Sequence, residues 1–366
     1  MTYLSKVAGM LAEIHAQHRY REVPVRQTSG VVDFSSNDYL ALATDSRVLQ
    51  AFHHATRVGS GGARLLGGAH REHSLLEEEL AAWLGRERAL LFSSGYLSAL
   101  GAIPVLSRMV DAIYSDELNH ASLIDGIRMS HVPRTIYAHS ALPPAAERPA
   151  RSLIVSESIF SMDGDAINMQ AIVDNLRDGD VLLIDEAHAL GVTGPEGAGL
   201  ARPFDDPRVV VFGTLSKSFG AQGGFIAGPA KFIELLINSA RTFIFDTALP
   251  PAIALAARVA LTIMKRDEER RARLHANVTY LRSGLRSLGL PVVEDPSPIV
   301  PVVLGGEERA LSVARKLLEK KLNVPAIRPP TVPLGSSRLR CSLRSDHVPE
   351  QLHLLIQGIS ECIAIS

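Results

Sequence analysis

At 366 residues the chain is too long for one small domain and suits a large α/β unit joined to a smaller one. Hydrophobic residues make up 46% and aromatics 5%, an aliphatic balance suited to helices packed on a parallel sheet. A net charge of −1 argues against a nucleic-acid or membrane-surface partner, and two cysteines outside any metal spacing or disulfide framework suit a reducing cytoplasm.

Residues 1–27 read as an amphipathic helix, with acid and histidine among the apolar positions, which argues against a signal peptide. A turn at 29–30 leads into a short strand at 31–34. The glycine-rich stretch 59–68 reads as a loop, and the helix at 73–83 stops before Gly85, as C-terminal capping by glycine requires. Apolar strands are predicted at 89–92, 112–114, 135–137, 153–155, 181–184, 209–212 and 224–227, with helical stretches between most of them. That rhythm predicts a mainly parallel sheet covered on both faces. The segment 143–149 reads as a surface loop. One long helix is expected over about 251–288, and its run Lys265-Arg-Asp-Glu-Glu-Arg-Arg271 reads as a solvated face with i,i+4 pairs. The pattern changes at Pro291, where 299–304, 310–320 and 338–343 suggest a small α+β domain. No apolar run reaches transmembrane length. The expected division is an N-terminal arm and short strand (1–40), a large domain with its connecting helix (41–288) and a small C-terminal domain (289–366).

Lys217 is the most informative residue. The apolar strand VVVF ends in the small polar turn GTLS, then Lys217, then glycines; no other charge lies between Val209 and Gly228. A desolvated lysine has a lowered pKa and becomes a nucleophile for an aldehyde. The alternative is a lysine on a solvated loop. Upstream, VLLI ends in Asp185 with His188 three residues on. Pyridoxal phosphate requires a lysine, a carboxylate for its ring nitrogen and a phosphate cradle. Asp185 closes a parallel-type strand, where ligands collect in open α/β sheets; it could equally cap a helix. His188 is placed to reach the cofactor's phenolic oxygen or stack near its ring. A strand followed by Ser94, Gly95 and Tyr96 at a helix start suits a phosphate, and would also suit an ordinary strand–helix loop.

With TLSKSFG, DEAHALGVTGPEG, SESIFSMDGD (156–165) and NHASLIDGIR (119–128) together, the chain resembles the α-oxoamine synthases from about residue 34 to about 343. The resemblance implies an aspartate-aminotransferase-like (fold type I) large domain with a mostly parallel sheet and a small C-terminal domain. It implies pyridoxal phosphate, an amino acid and an acyl thioester as substrates, and a homodimer with shared active sites. It assigns Ser94, Gly95, Tyr96 and Thr214 to the phosphate, and Thr247 to the phosphate of the partner subunit. His120 stacks on the cofactor ring in this scheme, Ser161 donates to the phenolic oxygen or to substrate, and Asp185, His188 and Lys217 complete the centre. Arg340 matches the arginine for the amino-acid carboxylate. Arg21, with Arg19 close by, matches an acyl-substrate contact; Thr331 and Asn37 line the same entrance. The sequence departs from the family at Gly197-Ala-Gly199, at Asp246 before Thr247, at Tyr137-Ala-His139-Ser, and in a shortened 139–150 region.

Overall fold

The structure is a computed structural model that describes residues 2–17, 19–21, 23 and 30–364. Its strands are β1 (Val32–Asp33), β2 (Arg88–Phe92), β3 (Ala112–Asp116), β4 (Arg134–Tyr137), β5 (Ser152–Glu157), β6 (Val181–Asp185), β7 (Val209–Thr214), β8 (Gly224–Gly228), β9 (Ile299–Gly305), β10 (Leu322–Asn323), β11 (Ala326–Ile327) and β12 (Ser337–Ser342). Seven of them form the large sheet in the order β2-β8-β7-β6-β5-β3-β4. Within it β8 runs antiparallel to both neighbours, and the other pairings are parallel. All seven strands expected from the sequence are present, each within two residues of its expected end.

Why these strands are apolar on both faces is visible in β6 and β7. Leu182, Ile184, Val209 and Val211 enter one buried cluster, while Leu183, Val210 and Phe212 enter another across the sheet. A strand covered on both sides cannot alternate polar and apolar residues. The parallel strands therefore end together at one edge, and their first polar residues gather there.

The helices are α1 (Tyr3–Ala16), α2 (Ser46–His53), α3 (Arg71–Leu84), α4 (Gly95–Leu106), α5 (Ala121–Arg128), α6 (Met169–Asp174), α7 (Ala230–Ser239), α8 (Arg241–Ile244), α9 (Pro251–Arg266), α10 (Glu268–Ser287), α11 (Glu307–Glu319) and α12 (Pro349–Ala364). The first ends at Ala16, short of the expected 27. Residues 1, 18, 22 and 24–27 of that expectation and Ser29 of the expected turn lie outside the described residues.

The long helix expected over 251–288 is two helices. Asp267 has non-helical dihedrals, and its carboxylate accepts from the Arg270 N–H at 3.0 Å, capping α10. Nor is the charged run simply solvated. Arg270 turns inward, pairs with Asp45 at 2.9 Å and donates to the Leu40 carbonyl at 2.7 Å. It ties the connecting helix to the segment that carries Asn37 and Tyr39.

The C-terminal unit contains an antiparallel sheet, β11-β12-β9, backed by α11, with α12 packed on α11 and α10. The short β1 pairs in parallel with β10, Val32 against Leu322, so the first strand is hydrogen-bonded to this unit. The 143–149 segment is pinned at several points: Ala145 N–H donates to Asn175 Oδ1 at 2.8 Å, Asn175 Nδ2 donates to the Pro143 carbonyl at 3.2 Å, and Arg177 donates to the Arg148 carbonyl at 2.9 Å. The Arg148 side chain is buried, paired with Asp180 at 3.2 Å, and donates to the Asn175 carbonyl at 2.6 Å.

Candidate active site

Four parallel strands deliver the central residues. β7 ends at Thr214 and turns back through Lys217; β6 ends at Asp185, with His188 in the following turn; β5 ends at Glu157, with Ser161 beyond it; β3 leads to His120. Tight backbone hydrogen bonds hold the lysine turn: Gly220 N–H to the Lys217 carbonyl at 2.8 Å and Ala221 N–H to Leu215 at 2.9 Å. Gly220 has φ +63, and a Cβ there would stand 2.2 Å from the Ala43 nitrogen. Only glycine allows the turn to seat against residues 42–43.

Lys217 Nζ lies 2.9 Å from His188 Nε2. Desolvation pushes the lysine pKa down to about 8, against the pull of Asp185 and Glu157. Asp185 is buried and accepts from the Ala187 N–H at 2.8 Å. Burial lifts its pKa to about 6, with Lys217 holding it back. Burial and the Lys217 charge keep His188 well below the ordinary imidazole range, so it is neutral. His188 Nδ1 faces the Tyr39 hydroxyl at 2.6 Å.

His120 is the N-cap of α5. Its Nδ1 accepts from the Ser122 N–H at 3.2 Å, and desolvation with the Lys217 charge lowers its pKa. Its ring meets Tyr96 edge-on, with centroids 6.4 Å apart. Ser94 caps α4, its hydroxyl accepting from Leu97 N–H at 3.2 Å. The first-turn N–H groups of Gly95 and Tyr96 have no partner within the helix. Thr214 Oγ1 lies 2.8 Å from Ser216 Oγ, and a Cβ on Gly95 would meet it at 3.2 Å. A Cβ on Gly224 would fall 2.4 Å from Gly95 Cα, so β8 needs glycine to let the α4 N-terminus approach the Lys217 strand.

Arg340, on β12, is buried. Its Nε donates to the Ser161 carbonyl at 2.6 Å, and its Nη1 donates to Asn37 Oδ1 at 3.0 Å and to the Ser342 hydroxyl at 2.7 Å. The C-terminal unit thus contributes a guanidinium to the large domain's site. Arg21 and Thr331 form a separate exposed pair, Nη2 to Oγ1 at 3.5 Å. Thr247 is also exposed and lines a small cleft with Arg64, Ser93 and Asp246. Asp246, the residue that departs from the family pattern, accepts a hydrogen bond from Ser93, next to the phosphate-type loop.

Three residues were not singled out from the sequence. Glu157 is buried opposite Asp185 in the β5–β6 register, with Oε1 unpartnered among the described residues. Desolvation, then Asp185, raises its pKa well above the carboxylate range. Its signal was available, since it ends an apolar strand as Asp185 does. Glu186 is structural. It accepts from Ser158 at 2.7 Å and from Leu200 N–H at 3.2 Å, and a Cβ on Gly199 would stand 2.7 Å from its carboxylate. Tyr39 is fully buried, and nothing in the stretch FSSNDYLAL marks its hydroxyl as aimed at His188.

The residues fit pyridoxal phosphate. A desolvated amine, a buried carboxylate and a neutral imidazole converge beside an uncovered helix N-terminus, which is the donor set an aldehyde, a cationic ring nitrogen, a phenolic oxygen and a phosphate require. Comparison with known proteins agrees. The profile of the family Aminotransferase class I and II matches residues 29–359. The chain belongs to the class I and II aminotransferase family, in its α-oxoamine synthase branch. The 8-amino-7-oxononanoate synthase of Methylococcus capsulatus is 42% identical over 379 residues, covering 97% of this chain and 98% of that one. The enzyme of the same name from Anaeromyxobacter dehalogenans is 46% identical over 342 residues, covering 90% and 86%. Among solved structures, a serine palmitoyltransferase from S. paucimobilis with a bound PLP–myriocin aldimine superposes with a TM-score of 0.91 at 27% identity, covering all of both chains. In this α-oxoamine synthase no described helix is long and apolar enough to cross a membrane.

His139 stands where the family departure begins. Its Nδ1 lies 3.1 Å from Asp116 and its Nε2 2.6 Å from Asp165, with its ring edge-on to Phe160. Burial acts to lower its pKa, but the hydrogen bonds to Asp165 and Asp116 outweigh it and the pKa is raised. A raised folded-state pKa stabilises fully below the unfolded value of about 6.5, and that stability is lost as pH rises through the folded value. Urea midpoints at pH 6 and pH 8 should show the parent losing more stability over this interval than His139→Gln. Equal slopes would remove His139 from the pH dependence.

Proposed function

We infer that the chain catalyses the pyridoxal-phosphate-dependent condensation of L-alanine with a pimeloyl thioester, carried on coenzyme A or acyl carrier protein. Carbon dioxide and the thiol leave, and 8-amino-7-oxononanoate forms, a step of biotin biosynthesis in the cytoplasm. The observation that carries this reading is full-length identity of 40–46% to enzymes of that name, on a chain whose half-buried Lys217 meets the buried His188, three residues after the buried Asp185.

When bound, pyridoxal phosphate supplies an aldehyde for an amine and a ring that withdraws electrons from the substrate's Cα. The N-terminus of α4, with Ser94, Gly95, Tyr96 and Thr214, would hold its phosphate; His120 would pack on its ring; Ser161 and His188 would meet its phenolic oxygen. Lys217 Nζ would be the amine that holds it and the base for the Cα proton of alanine; a pKa near 8 suits both tasks at neutral pH. Asp185 would keep the ring nitrogen protonated. Arg340 receives the amino-acid carboxylate through its planar guanidinium, with Asn37 keeping that group in register. Arg21 and Thr331 contact the acyl chain at the entrance. The chain acts as a homodimer in which Thr247 reaches the partner's phosphate.

The test is a panel of alanine, glycine and serine, each with pimeloyl-, acetyl-, succinyl- and palmitoyl-CoA, following thiol release. Alanine with the pimeloyl thioester should exceed every other pair in kcat/KM by at least about tenfold, the scale one or two methylenes set in an apolar pocket. A preference for serine with palmitoyl-CoA would instead favour the activity named for the solved structure with the TM-score of 0.91.

A further inference from the structure

A continuous line of hydrogen bonds runs from the carboxylate-binding arginine to the reacting lysine. Arg340 Nη1 donates to Asn37 Oδ1 at 3.0 Å, the Tyr39 hydroxyl meets the same Oδ1 at 3.2 Å, and Tyr39 meets His188 Nδ1 at 2.6 Å. His188 Nε2 meets Lys217 Nζ at 2.9 Å. Tyr39 and His188 are both buried, so each donor here needs an acceptor within the protein.

We propose that Tyr39 is the positioning residue that sets the tautomer of His188 and, through it, the protonation of Lys217. A lysine ammonium has only donors, so facing it His188 must present a lone pair at Nε2 and carry its proton on Nδ1. That proton goes to the Tyr39 oxygen, and the Tyr39 hydroxyl then points at Asn37 Oδ1. If the hydroxyl swings to His188 Nδ1 instead, the ring proton moves to Nε2, and Nζ must be a neutral amine to accept it. The second state is the one that reacts with an aldehyde. The two states differ by this hydroxyl rotation, the shift of the ring proton between nitrogens and the loss of one proton from the lysine to solvent, so the hydroxyl's orientation biases stored ammonium against usable amine. Asp185 and Glu157 favour the ammonium from their strands, while desolvation and Arg340 oppose it. Burial lifts the Tyr39 pKa to about 12, so the hydroxyl keeps its proton throughout the working range.

The role rests on the reading of Lys217 as the reacting amine, and its test is independent of turnover. Full-length protein freed of cofactor is labelled with a trace acylating reagent across pH, and the Lys217 peptide is quantified. Tyr39→Phe keeps the ring but removes both the acceptor for Nδ1–H and the donor to a bare Nδ1, and a buried N–H left without an acceptor costs more than a bare lone pair. The amine state gains, and the labelling midpoint should fall by about one pH unit, a tenfold change in the ammonium-to-amine ratio. Nitrogen-15 spectra of the His188 ring should move from the Nδ1–H to the Nε2–H pattern. Asn37→Asp strengthens the acceptor for the Tyr39 proton, so its midpoint should rise with the Nδ1–H pattern retained. An unchanged midpoint and ring pattern in folded Tyr39→Phe overturns the proposal. If that variant does not fold, a midpoint in Asn37→Asp that fails to rise overturns it. Loss of labelling at Lys217 in the parent at every pH would instead overturn the reading of Lys217.

Discussion

Replacing Lys217 by alanine is expected to abolish thiol release, by on the order of 10⁴-fold or more, since the base for Cα and the amine that anchors the cofactor go together. The parent protein should be yellow and should retain a pyridoxyl label on Lys217 after borohydride reduction and digestion. The variant should bind cofactor only reversibly, and reduction should leave no label on the protein. Recovery of the label on another lysine would sink the assignment. Freed of cofactor, the variant should also be no less stable than the cofactor-free parent. It removes a desolvated amine whose attraction to Asp185 and Glu157 only partly offsets burial. A melting temperature that falls sharply would mean Lys217 holds the fold rather than the chemistry.

The same variant tests the shared site. Thr247→Ala, inactive through loss of a phosphate contact, is mixed with Lys217→Ala and the subunits are exchanged. If Thr247 acts across the interface, each heterodimer has one site with both lesions and one with neither, and about a quarter of all sites become intact. No recovery after verified exchange leaves Thr247 as a local cap before Pro250. Within one chain Thr247 is exposed and shares a small cleft with Ser93 and Asp246, beside the phosphate-type loop, so the mixture decides whether it serves its own site or the partner's.

The sheet was legible because its central strands are buried on both faces and carry unbroken apolar runs, as 181–184 and 209–212 do, while the edge strand β4 is mostly exposed. The residues at the strand ends were legible for the same reason: a charge closing such a run has left the core and entered a cleft. Glu157 obeys that rule as well as Asp185 does. The small domain was harder. β10 and β11 have two residues each, too short for any periodicity, and β1 finds its partner some 290 positions away at Leu322–Asn323. The break at Asp267 was hidden by strong helix formers on both sides; only the Asp267 cap marks it. Tyr39 was least legible, because an aromatic in an apolar stretch looks like packing, and only the fold aims its hydroxyl at His188.

Asp185→Asn separates binding from electron withdrawal. The asparagine keeps the side-chain size, and its Oδ1 can still accept from the Ala187 N–H at 2.8 Å, so the turn carrying His188 should hold. The negative charge is lost. A neutral amide cannot keep a proton on the cofactor's ring nitrogen, so exchange of the alanine Cα proton with solvent should fall by about a hundredfold or more, about 3 kcal/mol of barrier. Cofactor should remain bound and reducible at Lys217, which distinguishes this variant from Lys217→Ala. The parent carries a matching pH signature. Burial lifts the Asp185 pKa to about 6, opposed by Lys217. A cationic ring nitrogen beside it pulls the value down again, so the acid limb of the exchange rate should have its midpoint at or below about 6. In Asp185→Asn the little exchange that survives should lack that limb. Unchanged exchange in the variant, or the same acid limb in both proteins, would remove Asp185 from the chemistry and return it to the role of a turn cap.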